Sequence, residues 1–326
     1  MDMKIEDARQ LAIDVLTKHG MYDDHARIVA DHLVEAAMVG REFASLPRVL
    51  VLIDNIKKRP AAKPITVVRE DERFALLDGG DTNGYVTSLI GMDKATEKAR
   101  KSGVGIVAVN NSWYSGRLAY YVERAARADM IAFHTVNTTG RVAAHGSIDR
   151  LFGTNPIAFA FPSATEPLII DFGTSATTWG EVQLRQRTGK PLEPNWAVDA
   201  DGNPTTDPTA ALEGAILPWG EQRGSGLLLV SQVFGILAGS SVVIEDVSNF
   251  GFFFLAIDPG MFMPREEFKA KVSEMMRNVA ESRPRPGLES VRLPNQTSSA
   301  NRQAALQRGT IRVDDKVHAA LMAALK

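Results

Sequence analysis

Apolar residues recur every three or four positions through the first 40 residues of the chain, a spacing that predicts helices. The first predicted helix covers residues 4–18 and ends before Gly20, a residue suited to the left-handed conformation that follows many helices. The second covers residues 23–39, where Asp23 and Asp24 complement the positive end of the helix dipole. The inward face of the first helix is expected to consist of Ile5, Ala8, Leu11, Ala12, Val15 and Leu16.

Short apolar runs and amphipathic stretches alternate through the rest of the chain, a pattern typical of an α/β domain. The runs predict strands over residues 65–68, 74–77, 104–109, 130–136, 157–161 and 252–257, and the polar residues 78–81 are expected to end the second of these. The amphipathic stretches predict helices over residues 49–56, 86–101, 118–128, 175–188, 265–282 and 317–325. The nearly apolar run over residues 227–239 predicts a buried helix.

Three glycine-containing turns adjoin these runs and are predicted to line one pocket. We name them the first turn (residues 150–156), the second turn (residues 170–175) and the third turn (residues 218–226). In the first turn, Asn155 precedes Pro156, which favours an extended backbone. A Thr154-Asn155 pair at the mouth of a strand can offer hydroxyl and amide groups to a ligand.

Composition narrows the class of protein. A chain of 326 residues fits two domains or one large α/β unit, and its 44% hydrophobic and 23% charged residues are typical of globular proteins. The net charge of −2 does not favour a nucleic-acid partner. The apolar run over residues 227–239 is too short to cross a bilayer, the charged N-terminus has no signal-peptide core, and there is no cysteine. We therefore expect a soluble cytoplasmic protein with no membrane partner.

The histidines predict no metal site. His19, His25 and His32 fall on the two N-terminal helices without a third ligand at metal spacing, so we expect them to be solvated. His134 alternates with apolar residues in a strand and is expected to be a hydrogen-bonded interior histidine. His145 precedes the first turn in a loop, which is a more accessible place for chemistry.

Several common motifs are missing from the sequence. There is no G-x-G-x-x-G between a strand and a helix, no P-loop and no G-x-S-x-G elbow. Residues 199–204, Asp-Ala-Asp-Gly-Asn-Pro, suggest a calcium loop, but the prolines and the lack of a following bidentate Glu argue against it. The common dinucleotide fold, a P-loop NTPase and a serine hydrolase are therefore unsupported.

Six segments occur in an order that points to one family. They are residues 46–48 (Leu-Pro-Arg), 78–80 (Asp-Gly-Gly), 107–112 (Val-Ala-Val-Asn-Asn-Ser), 153–159 (Gly-Thr-Asn-Pro-Ile-Ala-Phe), 199–208 (beginning Asp-Ala-Asp-Gly-Asn-Pro) and 224–227 (Gly-Ser-Gly-Leu). Over essentially its whole length the chain resembles the non-Rossmann malate/L-lactate dehydrogenase family, with relatives such as ureidoglycolate dehydrogenases, diketogulonate reductases and piperideine/pyrroline-2-carboxylate reductases. The resemblance implies an α/β fold with a large mixed sheet domain, helical N- and C-terminal parts, NADH or NADPH as cofactor, and a homodimer.

The same resemblance divides the chain and assigns cofactor positions. Residues 1–64 and 265–326 would form the helical parts, residues 65–264 the cofactor-binding sheet domain, with the nicotinamide held between them. The positions that match cofactor-lining residues are Ser112, Gly153, Thr154, Asn155, Asp171, Gly173, Thr174, Ser175, Arg223, Gly224, Pro294, Asn295 and Gln296. Arg223 is chemically suited to this role, because a guanidinium binds phosphate with two hydrogen bonds.

The sequence departs from the family where the proton donor is expected. Relatives carry Ser-His-Gly before the Leu-Pro-Arg motif, whereas a gapless match places residues 40–42, Gly-Arg-Glu, at those positions. Tyr114 replaces a second histidine, and Ser45 replaces an arginine three residues before Arg48. The residues expected to donate the proton and to bind the substrate carboxylate therefore differ from those of the family, while the rest of the chain keeps the family pattern.

Hydride transfer still needs a proton source for the oxygen or nitrogen that is formed. Tyr114 is the first candidate, since a nearby cation such as Arg41 would make its phenol a better donor. His145 is the second candidate and the Glu42 carboxyl the third. Arg41 or Arg48 is expected to bind the substrate carboxylate.

We therefore predict an NAD(P)H-dependent oxidoreductase that reduces a 2-oxo acid or a cyclic 2-imino acid at C2. Imine reduction is mildly preferred, because an already protonated iminium needs less help from an acid. The alternative is a homodimer that binds the cofactor but has lost turnover, which would account for the missing histidine.

Overall fold

The computed structural model describes residues 1–326 and contains eleven α-helices, two short 3₁₀ helices and twelve β-strands. The helices are α1 (Ile5–Lys18), α2 (Asp23–Met38), α3 (Pro47–Lys57), α4 (Gly84–Ser102), α5 (Ala119–Arg127), α6 (Trp179–Thr188), α7 (Pro208–Glu213), α8 (Gln222–Leu237), α9 (Arg265–Ala280), α10 (Gln296–Arg308) and α11 (Asp315–Ala324). The strands are β1 (Asp2–Lys4), β2 (Thr66–Glu70), β3 (Phe74–Asn83), β4 (Val104–Trp113), β5 (Ile131–Val136), β6 (Ile157–Phe161), β7 (Leu168–Phe172), β8 (Ala197–Val198), β9 (Pro204–Thr205), β10 (Ala215–Ile216), β11 (Phe250–Ile257) and β12 (Thr310–Arg312). None of the helices is long and apolar enough to cross a membrane.

The chain divides into two compact units. Unit 1 comprises Met1–Lys63, Ser163–Leu168 and Lys269–Lys326, and unit 2 comprises Pro64–Pro162 and Ile169–Phe268. In unit 1, α1 packs on α2, α3 and α11, and β1 pairs with β12 in an antiparallel ribbon. The predicted inward face of α1 is confirmed, because each of its six apolar residues is buried: Ile5, Ala8, Leu11, Ala12, Val15 and Leu16.

Unit 2 contains a seven-stranded sheet in the order β2-β3-β4-β11-β5-β6-β7. Strands β3 and β4 are parallel and are joined by α4, whereas β11 runs antiparallel to both β4 and β5. The sheet is therefore mixed, as the family resemblance implies, and differs from the mostly parallel sheet of a Rossmann domain. Side chains on β11 alternate between its faces: Phe254 meets Gly91 of α4, while Phe253 stacks on Phe234 of α8 at 4.3 Å.

Two predicted boundaries are wrong. Strand β3 does not end at Asp78 but continues to Asn83, because a register shift between Asp78 and Thr82 absorbs the glycines. Helix α6 begins at Trp179 rather than at Ser175. The residues before Trp179 are hydrogen-bonded to another segment instead of forming a helix, since the Ala176 amide donates to Leu217 O at 2.8 Å.

Two predictions about burial are also wrong. His32 is fully buried on the inner side of α2 rather than solvated. Helix α8 is not buried all round. One side packs on the sheet, and the other leaves apolar side chains exposed, among them Leu229 (51% exposed), Val233 (62%) and Leu237 (66%). Because α8 is apolar on both sides, its composition alone suggested complete burial.

Candidate active site

Backbone and side-chain hydrogen bonds join the three glycine turns into one assembly, which we call the three-turn cluster. The Thr174 amide donates to Thr154 O at 3.1 Å, and the buried Thr174 hydroxyl lies 3.0 Å from Asn155 O. On its other side, Thr174 O accepts a 2.9 Å hydrogen bond from the Trp219 amide of the third turn. Thr174 therefore connects all three turns, which are all part of unit 2.

Asn155 fixes the first turn against α8. Its side chain is fully buried, accepts a hydrogen bond from the Thr138 amide at 3.1 Å and donates to Gln232 Oε1 at 3.0 Å. Its backbone has a φ of 33°, so the extended conformation predicted for this residue before proline is wrong. Asparagine tolerates a positive φ better than most residues. The Asn155 amide is thus used within the protein, which leaves the half-buried Thr154 and the turn backbone to meet a ligand.

The third turn leads into α8 through a very close backbone approach. A Cβ on Gly224 would lie 1.7 Å from Trp219 O, so that only glycine fits there, whereas Gly226 has open space around it. Glu221 has a φ of 56° and a ψ of −123°, a combination that a residue with a side chain rarely adopts. Strained backbone of this kind is concentrated at functional sites. Arg223 is exposed in the first turn of α8, where the helix dipole favours an anion.

The remaining predicted cofactor positions of unit 2 differ in their surroundings. Asp171 Oδ2 accepts a 2.8 Å hydrogen bond from the Ala119 amide at the start of α5, and Gly173 is exposed beside it. The Ser175 hydroxyl donates to Thr177 O at 2.7 Å. Ser112 is fully buried, and its hydroxyl lies 2.6 Å from Thr82 O and 2.9 Å from Thr87 Oγ1.

Gly153 has no space for a side chain, since a Cβ there would meet Thr138 Oγ1 at 1.9 Å. The other three predicted cofactor residues belong to unit 1, where Pro294 and Asn295 precede α10 and Gln296 is its first residue. There Asn295 is left-handed with a φ of 62°, and the Gln296 side chain accepts a hydrogen bond from the Leu293 amide at 3.1 Å.

Two candidate proton donors lie in unit 2. Tyr114 directly follows β4, is half-buried and has a φ of 56°, which is unusual for a bulky residue. This backbone is held in place by Gly84, where a Cβ would lie only 1.7 Å from Tyr114 O. His145 is exposed, and its amide donates to Ser225 Oγ at 3.1 Å, so that its loop meets the third turn.

The candidates of unit 1 lie on the connection between α2 and α3, residues 39–46, or just after it. Arg41 and Glu42 are exposed, and Phe43 beside them is 50% exposed. Arg48 in the first turn of α3 places its guanidinium 5.6 Å from the centre of the Phe43 ring. The Ser45 hydroxyl, which occupies the position of a family arginine, donates to Glu42 O at 2.6 Å.

His134 is a structural residue, as the sequence predicts. It is fully buried, Nδ1 lies 3.0 Å from Phe253 O, and its ring stacks on Phe254 at 4.2 Å. Because a carbonyl only accepts, Nδ1 carries the hydrogen and Nε2 has no partner. Burial lowers the pKa of His134 to about 3, with the bond to Phe253 O opposing the shift.

One residue at the cluster was not among the predicted site residues. Arg141 donates from its amide to Phe152 O at 2.6 Å and accepts from the Ile216 amide at 3.0 Å, so its backbone lies between the segments that lead into the first and third turns. The only signal in the sequence was a lone arginine among small and apolar residues over positions 140–144.

The chain is similar to characterised enzymes along nearly its full length. Residues 3–322 match the family described as malate/L-lactate dehydrogenase. The L-sulfolactate dehydrogenase of Methanocaldococcus jannaschii is 34% identical over 93% of this chain and 90% of its own length. The malate dehydrogenase of Pyrococcus horikoshii is 36% identical over 86% of this chain and 82% of its own. The Δ¹-pyrroline-2-carboxylate/Δ¹-piperideine-2-carboxylate reductase of Pseudomonas aeruginosa is 30% identical over 99% of both chains.

Solved structures agree with these similarities. The sulfolactate dehydrogenase from Methanocaldococcus jannaschii superposes with a TM-score of 0.89, at 32% identity, over 99% of this chain and 96% of the other. The family resemblance noted in the sequence is thereby confirmed. The chain belongs to the malate/L-lactate dehydrogenase family and is an NAD(P)-dependent oxidoreductase.

Proposed function

We propose that this oxidoreductase reduces a cyclic 2-imino acid or a 2-oxo acid at C2, with NADH or NADPH as the reductant. The observation that carries the proposal is the three-turn cluster, which joins Thr154, Thr174 and the start of α8 through buried hydrogen bonds. Such a surface of backbone groups, with glycines at its closest approaches, suits a ligand that carries phosphates.

The residues present fit a nicotinamide dinucleotide. Arg223 and the N-terminal amides of α8 are chemically suited to its phosphates, because a guanidinium and a helix N-terminus both stabilise negative charge. Gly173 leaves the backbone of the second turn open, and Thr154 offers a half-buried hydroxyl. When bound, the reduced nicotinamide supplies a hydride to C2 of the substrate. The Ser112 hydroxyl is used within the protein, so we assign it to the support of β4.

Tyr114 is the proton donor in this proposal. Reduction of a C=O, or of a neutral C=N, adds a hydride to carbon and a proton to the oxygen or nitrogen, and the Tyr114 phenol would deliver that proton. A substrate that binds as the iminium already carries this proton. The backbone at Tyr114 is strained and is fixed by its contact with Gly84, as expected for a side chain whose position matters. His145, whose loop contacts Ser225, is the second candidate donor.

We favour the imine as substrate. An iminium carbon is already activated by the proton on nitrogen, so that the loss of the family histidine at Arg41 would matter less than it would for a ketone. One relative is named as a reductase of cyclic imino acids, whereas two others are named for sulfolactate and malate. Purified protein should therefore oxidise NADH or NADPH faster with Δ¹-piperideine-2-carboxylate than with pyruvate or oxaloacetate.

The role of Tyr114 can be tested by Tyr114→Phe, which removes only the phenol oxygen. We expect kcat with a 2-oxo acid to fall about 10²-fold or more, with cofactor affinity unchanged, and kcat with an iminium substrate to fall less. Tyr22→Phe is the matched control, since Tyr22 is 56% exposed at the start of α2 and should leave kcat unchanged. A Tyr114→Phe enzyme with the wild-type kcat would exclude Tyr114 as the donor and move the role to His145.

A homodimer is part of the same proposal. The exposed face of α8 carries five apolar residues, Leu229, Val230, Val233, Ile236 and Leu237, and apolar patches of this kind mark protein interfaces. We expect Val233→Asp to yield a monomer in sedimentation analysis, whereas Leu184→Asp, at an exposed position of α6, should not change the mass. A dimer that persists in Val233→Asp would place the interface elsewhere.

The absence of cysteine accords with the cytoplasmic location that we propose.

The second candidate is a homodimer of this fold that binds the cofactor without turning over. It is favoured by one observation, the replacement of the family histidine by the exposed Arg41. Cofactor binding without oxidation in the presence of every 2-oxo and imino acid tested would support this candidate over the reductase.

A further inference from the structure

We propose that Arg141 is an anion-binding residue at the three-turn cluster and holds an oxyanion group of a ligand, either a carboxylate or sulfonate of the substrate or a phosphate of the cofactor. The identity of that ligand rests on the proposed function. The binding of an oxyanion itself does not, and it can be measured without turnover.

Arg141 is a half-buried cation with no acidic partner. One guanidinium nitrogen donates to Gly140 O at 3.2 Å, and the group lies 4.8 Å from the centre of the Trp179 ring. The only charged side chain acting on it is another arginine, Arg150. Burial, and then the charge of Arg150, lower the pKa of Arg141, which means that its surroundings disfavour the cation.

Another arginine in unit 2 is stacked on an indole in a similar way but has carboxylate partners. Arg185 lies 4.7 Å from the centre of the Trp196 ring, a stacking close to that of Arg141. Arg185, however, is paired with Glu181 and Glu193, each at 3.0 Å. A stacked guanidinium in this fold is thus neutralised by carboxylates in one place and lacks them in the other. The missing partner at Arg141 is an anion that the protein does not supply.

Arg150 is less available to that anion than Arg141, because two of its guanidinium nitrogens already donate to backbone carbonyls. Its guanidinium donates to Leu212 O at 2.6 Å and also to Gly214 O, at the end of α7. It also lies 5.3 Å from the centre of the Trp179 ring, so that two positive charges lie at one indole. An oxyanion bound to Arg141 through hydrogen bonds would also be attracted by the charge of Arg150.

The position of Arg141 connects the anion with the three-turn cluster. Its amide donates to Phe152 O, one residue before Gly153, and its carbonyl accepts from the Ile216 amide, two residues before Pro218. A ligand held at the first and third turns would therefore lie near Arg141. A guanidinium binds carboxylate, sulfonate and phosphate with the same pair of parallel hydrogen bonds, so both sources of the anion share one chemistry.

The test uses the full-length protein and three variants: Arg141→Gln, Arg141→Lys and the control Arg187→Gln. Arg187 is an exposed arginine of α6, the helix that also carries Trp179. Oxalate and sulfate are titrated at constant ionic strength while tryptophan fluorescence is recorded, and NADH and NADPH binding is measured by calorimetry. Circular dichroism shows that each variant is folded, and Arg141→Lys serves if Arg141→Gln is not, because it keeps the charge but loses the planar fork.

We expect wild-type and Arg187→Gln proteins to behave alike and Arg141→Gln to bind at least one probe about 10-fold or more weakly, with Arg141→Lys in between. Weaker binding of NADPH but not of NADH would identify the cofactor phosphate as the anion. Weaker binding of oxalate or sulfate with both cofactors unaffected would identify the substrate group. Kd values within about two-fold of wild type for all four probes would overturn the proposal. Failure of turnover alone would instead count against the proposed reductase.

Discussion

The three-turn cluster and the connection between α2 and α3 are the two regions where the chain carries its candidate chemistry, and they are built in opposite ways. In the cluster, Asn155 and Thr174 are fully buried and hydrogen-bonded across turns that are far apart in sequence. In the connection, Arg41, Glu42 and Phe43 are exposed. Replacing a residue in the first region would leave buried partners unsatisfied, whereas a residue in the second can change at little cost in stability.

This difference explains where the chain keeps its family pattern and where it departs from it. The Gly-Thr-Asn-Pro and Gly-Ser-Gly motifs belong to the cluster, and residues 40–42, which replace Ser-His-Gly, belong to the connection. Buried contacts restrict residue identity, while an exposed loop can exchange its acid for another group. A buried assembly of turns can thus keep its residues while an exposed loop of the same chain changes the groups that it presents.

The largest effect is expected from a pair of glycines within the cluster. Gly224→Ala would force a Cβ to 1.7 Å from Trp219 O, and we expect it to lower the unfolding free energy by about 4 kcal/mol or more. Gly226→Ala is the matched control two residues along the same helix, where nothing lies within 4 Å. There, alanine should stabilise the helix by about 0.5–1 kcal/mol. Denaturant titrations that give equal stability for both variants would show that the backbone approach at Gly224 is not rigid.

A pair of histidines in unit 2 repeats the contrast between buried and exposed positions. The folded pKa of His134, about 3, lies below the ordinary value of 6.5, so the unfolded chain binds more protons between these two values. The contribution of His134 to the unfolding free energy is therefore fully present above pH 6.5. It falls as the pH decreases, by about 3 kcal/mol between pH 7 and pH 4. His134→Gln should remove that dependence, even though it lowers stability at neutral pH.

The exposed His145 supplies the control for the acid titration. His145→Gln removes a histidine from an exposed position of the same unit, so it controls for the loss of an imidazole as such. Urea unfolding at pH 7, 6, 5 and 4 gives the comparison. An equal fall in stability for His134→Gln and wild type would mean that His134 is not the group that titrates.

The smallest effect on stability is expected in the connection between α2 and α3. Arg41→Gln should change the unfolding free energy by less than about 0.5 kcal/mol, because the residue is exposed. If Arg41 binds the substrate carboxylate, the same change should lower kcat/KM about 10-fold or more. Arg308→Gln, an exposed change in α10, should alter neither quantity. Unchanged kcat/KM in Arg41→Gln would leave Arg48 as the candidate for the carboxylate.

Sequence reasoning succeeded where one periodic signal dominated. The apolar stripe of α1 and the alternating segments of the mixed sheet follow directly from spacing. Prediction from sequence failed where contacts distant in sequence decide where an element begins and ends. Helix α6 starts at Trp179 because Ala176 is bonded to Leu217, and nothing near residue 176 in the sequence reveals that bond. Helix α10 went unpredicted because it is largely polar and buries only Ser298 and Ala305.

The candidate site shows the same division. The first turn could be identified from its residues. The sequence could not show that the Asn155 side chain would be hydrogen-bonded to Thr138 and Gln232. Nor could the sequence show that Arg141 lacks an acidic partner while Arg185 has two. For α8, an apolar sequence could not distinguish burial by the chain itself from an outer face left open.

We infer that this chain keeps a working nicotinamide site and uses it to reduce the C2 carbon of a small acid. The measurement is NADH and NADPH oxidation by the purified protein with Δ¹-piperideine-2-carboxylate, pyruvate and oxaloacetate, alongside calorimetric binding of each cofactor. We predict cofactor binding together with turnover, fastest with the cyclic imine. Tight cofactor binding with no oxidation for any of these substrates would contradict the claim and favour the homodimer without turnover.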